Sequence, residues 1–406
     1  MSQRISRLII VGILLLAVPV LLVFAGGAQE TEGPVTVTVW KGSWWADQAP
    51  VVEQAFAESH TNRVKIETYP FDGLIEKYIT AIAGGQAPDV IAADNTMMPL
   101  LISRGMLQPI SGVDRSDFSG AIWEASSADG KLYGIPFRAD TSGVFYNKDM
   151  FDQAGLSYPD WNWTWDDLLS LAKALTIGTE RYGFGISGSP AAGTDFEAEV
   201  LPLIWSNGGD VIRDGKVVLD EPGAIAGLQF WVDLVLKHQV SPKGSVNYDN
   251  KDYIEFFLSK RLAMMMGGSN VIPLLNQQAP DINWDFVQVP GVSKGFGYAY
   301  AIPVGAKNPE AAREYIEWFT EPENLSRLTI RMPARASATN DPPWNNPVYG
   351  KVMKATVNSK SPPLIPEWVE IRAMMIREMQ RVLTGDTKSV EEAARIMTDQ
   401  GNAIIR

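Results

Sequence analysis

Between residues 35 and 106 the hydrophobic pattern switches repeatedly between two periods, and this alternation constrains the fold more than any other feature. VTVTVW (35–40) alternates apolar valine with polar threonine, both β-branched, on a period of two, the pattern of a half-buried strand. Gln48–Ser59 then places Val51, Val52, Ala55 and Phe56 on one helical face. VKIETYP (64–70) reads as a second strand, and LIEKYITAIAGG (74–85) as a helix stopped at Gly84–Gly85. APDVIAAD (87–94) is a short apolar strand running into Asp94, and MMPLLISRGM (97–106) is helical up to its glycine. Strand, helix, strand, helix, strand predicts an α/β fold with a mixed, mostly parallel sheet flanked by helices. Such sheets place ligands at the carboxyl ends of their strands.

The rest of the chain repeats the theme. KLYGIPFRAD (131–140) and TSGVFYNKDMF (141–151) are extended before a helix. Thr164 opens TWDDLLSLAKAL with Asp167 at capping-box spacing. FEAEVLPLIW (196–205) reads as helical but broken near Pro202, and EPGAIAGLQFWVDLVLKHQ (221–239) as an amphipathic helix. IEFFLSKR leads to the strand LAMMMGG, WDFVQVPG is another strand, and GYAYAIPVG (297–305) is extended. NPEAAREYIEWFT (308–320) and most of the chain from Trp368 onward are helical. The chain therefore reads as two α/β lobes, with crossings near Asp140 and Gly297–Ala301.

Composition narrows the chemistry. With no cysteine, a disulfide framework, a zinc–cysteine site, a thiol nucleophile and a lipid-accepting cysteine are all excluded. The two histidines, His60 and His238, lie far apart and do not support a histidine metal site or a Ser-His-Asp triad. No cofactor and no metal are expected. Residues 1–28 have a short basic start, an apolar stretch from Leu8 to Phe24 and small residues at the end, the layout of a secretory signal peptide. An uncleaved membrane anchor is the competing reading. Without these residues the chain carries 33 basic and 47 acidic side chains, a formal charge of −14, which argues against nucleic acid or an anionic membrane as partner.

Several segments, in shared order over the whole chain after residue 34, resemble the sugar-binding class of extracellular solute-binding proteins, the maltose-binding-protein-like components of ATP-binding-cassette importers. They are VTVTVW, GGQAPDVIAAD, GKLYGIPFRADTSGVFYNKDMFDQAGL, TWDDLLSLAKAL, SNGGDVI, FLSKRLAMMMGGSN, AIPVGAKNPEAAREYIEWF and MPARAS. The resemblance implies a two-lobe (type II) periplasmic clamshell that closes on its ligand. Lobe one would hold 34–139 plus 300–330, and lobe two 140–299 plus 331–406. It implies a soluble periplasmic monomer that captures a mono- or oligosaccharide and passes it to membrane permease subunits. An exported glycosidase or lyase and a ligand sensor for a receptor are the alternative functions.

A sugar presents apolar C–H faces to aromatic rings and an equator of hydroxyls to carboxylates, amides and guanidinium groups. Trp44 and Trp45 follow the first strand at its carboxyl end and are candidates for stacking, whereas Trp40 belongs to the core. Lys41 is a hydroxyl partner or a solvated cation. Asp94 and Asn95 follow the third strand, where capping of the next helix is the alternative. Arg138 and Asp140 share a strand face at the first crossing and either contact ligand or pair with each other. The resemblance puts Asp140 where the family carries an acidic sugar contact. Asp195, Phe196 and Glu199 form an acidic-aromatic group at a helix start, and Trp205 divides between core and site. Gly268, Ser269 and Asn270 let a ligand approach the backbone. The resemblance aligns Asn270 with a ligand-facing aromatic. Of Tyr298 and Tyr300, one is expected to face the cleft. Arg335 matches a family loop that faces ligand, with a surface ion pair as its alternative.

Overall fold

The computed structural model describes residues 33–405 except 72 and 119, so the expected signal segment at 1–28 lies outside the described residues. Nine strands build the two main sheets: β1 (Thr36–Gly42), β2 (Arg63–Tyr69), β3 (Val90–Asp94), β4 (Ile135–Thr141), β5 (Gly143–Asn147), β6 (Tyr182–Phe184), β7 (Leu262–Gly267), β8 (Trp284–Gln288) and β9 (Gly295–Ala301). The first sheet has the order β2-β1-β3-β9-β4 and the second β8-β5-β7-β6. β1 runs parallel to β2 and β3, as the alternation at the start of the chain predicts. β9 enters antiparallel to both neighbours, and β5 is antiparallel to β7 and β8, so the sheets are mixed and the second is less parallel than expected. The cause is the chain path: β5 and β9 both arrive by crossing from the other sheet, not from a strand–helix–strand unit within their own.

The inner strands of each sheet are buried on both faces, while the edge strand β2 turns Arg63 and Lys65 outward. In the first, Val37, Val39, Val64 and Ile66 pack against Val52, Phe56 and Ile316 from the helices Ala49–Ser59 and Pro309–Thr320. Ile91 and Ala93 meet Leu74, Tyr78 and Leu101 on the opposite face. In the second, Val144, Tyr146, Met264 and Met266 face Leu168, Trp231 and Met375, while Phe145, Met265 and Phe286 face Phe257, Val271 and Val352. The run LAMMMGG is apolar throughout because its strand is covered on both sides.

Local signals fix several helix ends. Thr164 accepts from the Asp167 N–H (3.1 Å) and the Asp167 carboxylate accepts from the Thr164 N–H (2.8 Å), closing the capping box read from the sequence. Pro202 does not break its helix, which runs from Thr194 to Ser206. Nine of that helix's residues, Phe196 through Ile204, are buried, and this burial offsets the hydrogen bond that proline removes. The neighbouring helix, Pro222–Leu236, approaches so closely that a Cβ at Gly227 would stand 2.6 Å from the Ile204 nitrogen.

Three segments connect the sheets side by side. β4 passes to β5 through Ser142 alone, β8 passes to β9 through 289–294, and the segment 329–344 leads from one core to the other. Thr141 Oγ1 donates to the Lys294 carbonyl (3.0 Å), and the Ala139 N–H donates to the Met332 carbonyl (3.2 Å).

One cation sits inside the first core. Lys41 is 2% exposed, and its ammonium donates to the Tyr300 hydroxyl (2.5 Å). It lies 4.5–5.3 Å from the ring centres of Trp45, Phe137, Tyr300 and Phe319, an aromatic cage in place of a carboxylate. Burial lowers its pKa from 10.5 to about 7.

Gly227→Ala is expected to destabilise the protein by about 1–3 kcal/mol in urea denaturation, because two helix backbones must separate. The unfolded chain keeps the Lys41 proton up to about 10.5 while the folded chain releases it above about 7. Its contribution to stability is therefore lowest below pH 7 and rises through the window between these values. Lys41→Met is expected to raise stability at pH 7 by on the order of 2 kcal/mol and to flatten that rise, as read by melting temperature against pH for both proteins.

Candidate functional site

A cavity of about 490 Å³ lies between the two sheets, within the range of small-molecule sites. Its first wall comes from strand ends. The loop after β1 brings Trp44, the loop after β2 brings Phe71, and the end of β3 brings Asp94, Asn95 and Thr96. β4 and β9 add Arg138, Phe296 and Tyr298. Asp94, Tyr298 and Arg138 are directly opposed across three neighbouring strands, forming an acid–phenol–guanidinium row. The second wall is the start of the Thr194–Ser206 helix (Thr194, Asp195, Ala198, Glu199), the start of the Asn250–Leu258 helix (Asn250, Lys251) and the turn after β7 (Gly268, Asn270).

Trp44 is half-buried, and its ring packs 5.4–5.7 Å from those of Trp45, Phe71 and Tyr298. Gly42 makes this possible, since a Cβ there would lie 2.2 Å from the indole. The indole N–H is buried without a partner among the described residues. Trp45 occupies a different place. It is 2% exposed, edge-on to Tyr298 at 5.2 Å and 5.3 Å from Phe137, and it belongs to the core under the cavity.

Asp94 uses one oxygen, Oδ1, to accept from the Thr96 N–H (2.9 Å), the Thr96 hydroxyl (2.7 Å) and the Met97 N–H (2.8 Å). It therefore ties down the start of the Met97–Ser103 helix while lining the cavity. Asn95 lines the wall and donates to the Gly295 carbonyl (3.2 Å). Arg138 meets Asp140 at 3.4 Å and lies 5.1 Å from the Phe296 ring and 5.6 Å from the Tyr298 ring. Asp140 is fully buried behind it, accepting from the Thr141 N–H (2.9 Å), the Ser269 N–H (3.2 Å) and the Ser269 hydroxyl. Asp140 and Ser269 thus join the two sheets from behind the cavity wall.

Asp195 and Glu199 share a helix face. Burial pushes Asp195 up to about 6, against the pull of Lys294. Burial pushes Glu199 up to about 8, against hydrogen bonds from the Ser187 N–H (2.8 and 2.9 Å) and the Trp231 indole (2.9 Å). Glu197, between them, is 1% exposed and holds Lys294 at 3.2 Å together with Arg372 and the Trp368 indole (3.0 Å).

Of the residues named from sequence, Trp44, Asp94, Asn95, Arg138, Asp195, Glu199, Gly268, Asn270 and Tyr298 line this cavity. The others sit elsewhere for identifiable reasons. Lys41, Trp45 and Tyr300 form the aromatic floor beneath it, Tyr300 being stacked on Phe137 at 4.2 Å. Asp140 and Ser269 satisfy each other. Phe196 packs on Trp231 in the second core. Trp205 packs against that core and under the Lys360 ammonium at 4.8 Å. Arg335 lies over Phe118 (4.7 Å) and 3.6 Å from Asp117. Phe71, Phe296, Lys294, Lys251 and Arg331 line the cavity without having been singled out. Phe296 had a signal, because it precedes Tyr298 by two on one strand face. So did Phe71, which ends a strand as Trp44 does. Arg331 and Lys294 gain their place only from the crossings.

The family model for bacterial extracellular solute-binding proteins matches residues 45–325. A protein of Brucella abortus, named only as a binding protein, is 26% identical over 90% of this chain and 92% of its own length. The galactooligosaccharide-binding protein of Bacillus subtilis is 22% identical over 93% of this chain and 92% of its own. Among solved structures, a solute-binding protein of an ABC transporter from Thermotoga lettingae, bound to alpha-D-tagatose, is 26% identical. It covers 91% of this chain and 100% of its own, with a TM-score of 0.78. A two-lobed α/β fold with its cavity between the lobes and a family match over more than half its length lead to one conclusion: this chain belongs to the bacterial extracellular solute-binding proteins.

Proposed function

We propose that this protein captures a mono- or oligosaccharide between its lobes and delivers it to the permease of an ABC importer. The observation that carries this reading is the makeup of the wall. Aromatic rings (Trp44, Phe71, Phe296, Tyr298) stand beside carboxylates, amides and guanidinium groups, and two buried donors, Trp44 Nε1 and Arg138 Nε, lack partners among the described residues. Stacking surface next to unpaired donors suits a ring with apolar faces and an equator of hydroxyls. The galactooligosaccharide-binding and tagatose-bound relatives support the same ligand class. We take the first lobe as 35–141 plus 295–339 and the second as 142–294 plus 340–405, so that β4 and β9 each stay whole in the first sheet and Ala334 and Ala338 stay with the first core. The mature chain acts as an exported monomer without its signal segment.

Asp195 and Glu199 are the carboxyl groups that an enzyme reading would use, both raised by burial. Glu199 is already committed to Ser187 and Trp231, and both groups lie on one face of one helix, which does not flank a scissile bond from two sides. Binding without conversion is the better account.

Titration with a sugar panel is expected to shift the tryptophan fluorescence, raise the melting temperature and contract the particle in small-angle scattering, with the sugar recovered unchanged by chromatography. Stabilisation by amino acids or metal ions but by no sugar would sink the carbohydrate reading, and product formation would favour an enzyme. Trp44→Ala is expected to weaken binding at least about tenfold while changing stability by less than about 1 kcal/mol. Trp45→Ala is expected to cost about 3–5 kcal/mol of stability in chemical denaturation, because its ring is core.

A further inference from the structure

The hinge side of the cavity carries a positive charge that the protein does not balance. Arg138 and Arg331 stand on neighbouring segments: β4 and the third crossing are joined by the Ala139–Met332 hydrogen bond and by pairing of Arg138 with Pro333. Both line the cavity. Arg138 is 7% exposed, its Nε has no partner among the described residues, and Asp140 is its ion-pair partner at 3.4 Å. Asp140 in turn already accepts from Thr141 and twice from Ser269. The Arg331 guanidinium makes no ion pair or hydrogen bond among the described residues. Burial and the charge of Arg138 both push its pKa down, and only Asp140 pulls the other way among nearby carboxylates. Two guanidinium groups therefore share one committed carboxylate.

The neighbouring charges do not remedy this. Lys294 is held by Glu197, which also takes Arg372, and Asp195 faces Lys294, so that group is balanced among its own members. Asp94 is at the far end of the row, two strand spacings or about 10 Å from Arg138. Its Oδ1 is engaged by three donors. The wall is thus polar along its length, with a carboxylate at one end and a surplus guanidinium at the other. An uncompensated buried charge is costly unless a bound group neutralises it.

We propose that the ligand is an acidic sugar, bound with its carboxylate against Arg138 and Arg331 and its hydroxyls toward Asp94. This rests on the reading of the site as a sugar site. A carboxylate matches the forked donors of arginine two bonds at a time, and it supplies negative charge where two guanidinium groups have only the committed Asp140. A neutral sugar would leave that charge in place.

The test is calorimetric titration of the full mature chain with matched pairs: D-galacturonate against D-galactose, D-glucuronate against D-glucose, and the corresponding disaccharides. In at least one pair the acid is expected to bind about tenfold or more tighter than its neutral partner, with an affinity that falls as salt rises. Arg331→Gln is expected to weaken the acid about tenfold beyond any loss for its neutral partner, removing most of that preference. Arg138→Gln is expected to weaken the acid more than the neutral sugar, which also loses the Arg138 donor. If it unfolds because Asp140 loses its partner, which circular dichroism reads directly, Arg331→Gln decides. Neutral sugars binding as tightly as their acids would overturn the inference and leave the sugar reading intact. Equal loss for acid and neutral ligands in Arg331→Gln would also overturn it. Binding of no sugar in either form would overturn both.

Discussion

The arrangement depends on one buried carboxylate. Asp140 is fully enclosed at the end of β4, where the chain is about to leave the first sheet, and it holds the turn after β7 of the second sheet through Ser269. A carboxylate in such a place is tolerated only when donors surround it, and here two backbone N–H groups, a hydroxyl and a guanidinium do so. This fixes the spacing of the two walls at the hinge. It also orients Arg138, whose guanidinium lies between Asp140 behind it and the rings of Phe296 and Tyr298 beside it.

Most of the fold was legible because it rests on short-range signals. β-branched alternation marked β1, glycine stops marked helix ends, and the Thr164–Asp167 spacing marked a cap that forms as read. The antiparallel entry of β9 was not legible, since it follows from crossing between sheets and leaves no local trace. The Thr194–Ser206 helix shows the same limit: Pro202 carries a strong local rule, and burial along the whole helix overrides it.

The site was legible where strand ends define it. Trp44 and Asp94 follow from the rule that ligands gather at carboxyl ends, and Phe71 could have been found the same way. Adjacent residues proved harder to separate. Trp44 and Trp45 have the same composition and nearly the same position, yet one lines the cavity and the other roofs the Lys41 cage. The difference is which side of a single 3-10 turn each occupies, which depends on Gly42 leaving room for an indole. Arg331 lay beyond sequence reasoning for a different reason: it reaches the cavity only because the third crossing runs beside β4.

The link between β4 and β5 is a single residue, Ser142. So short a tether, held beside the other two crossings, permits rotation about its own position and almost no sliding. The two walls therefore move as levers of unequal reach. Groups beside the crossings, Arg138 next to the third and Lys294 on the second, are the ones such a rotation displaces least. The groups nearest the pivot are thus in position over the widest range of opening.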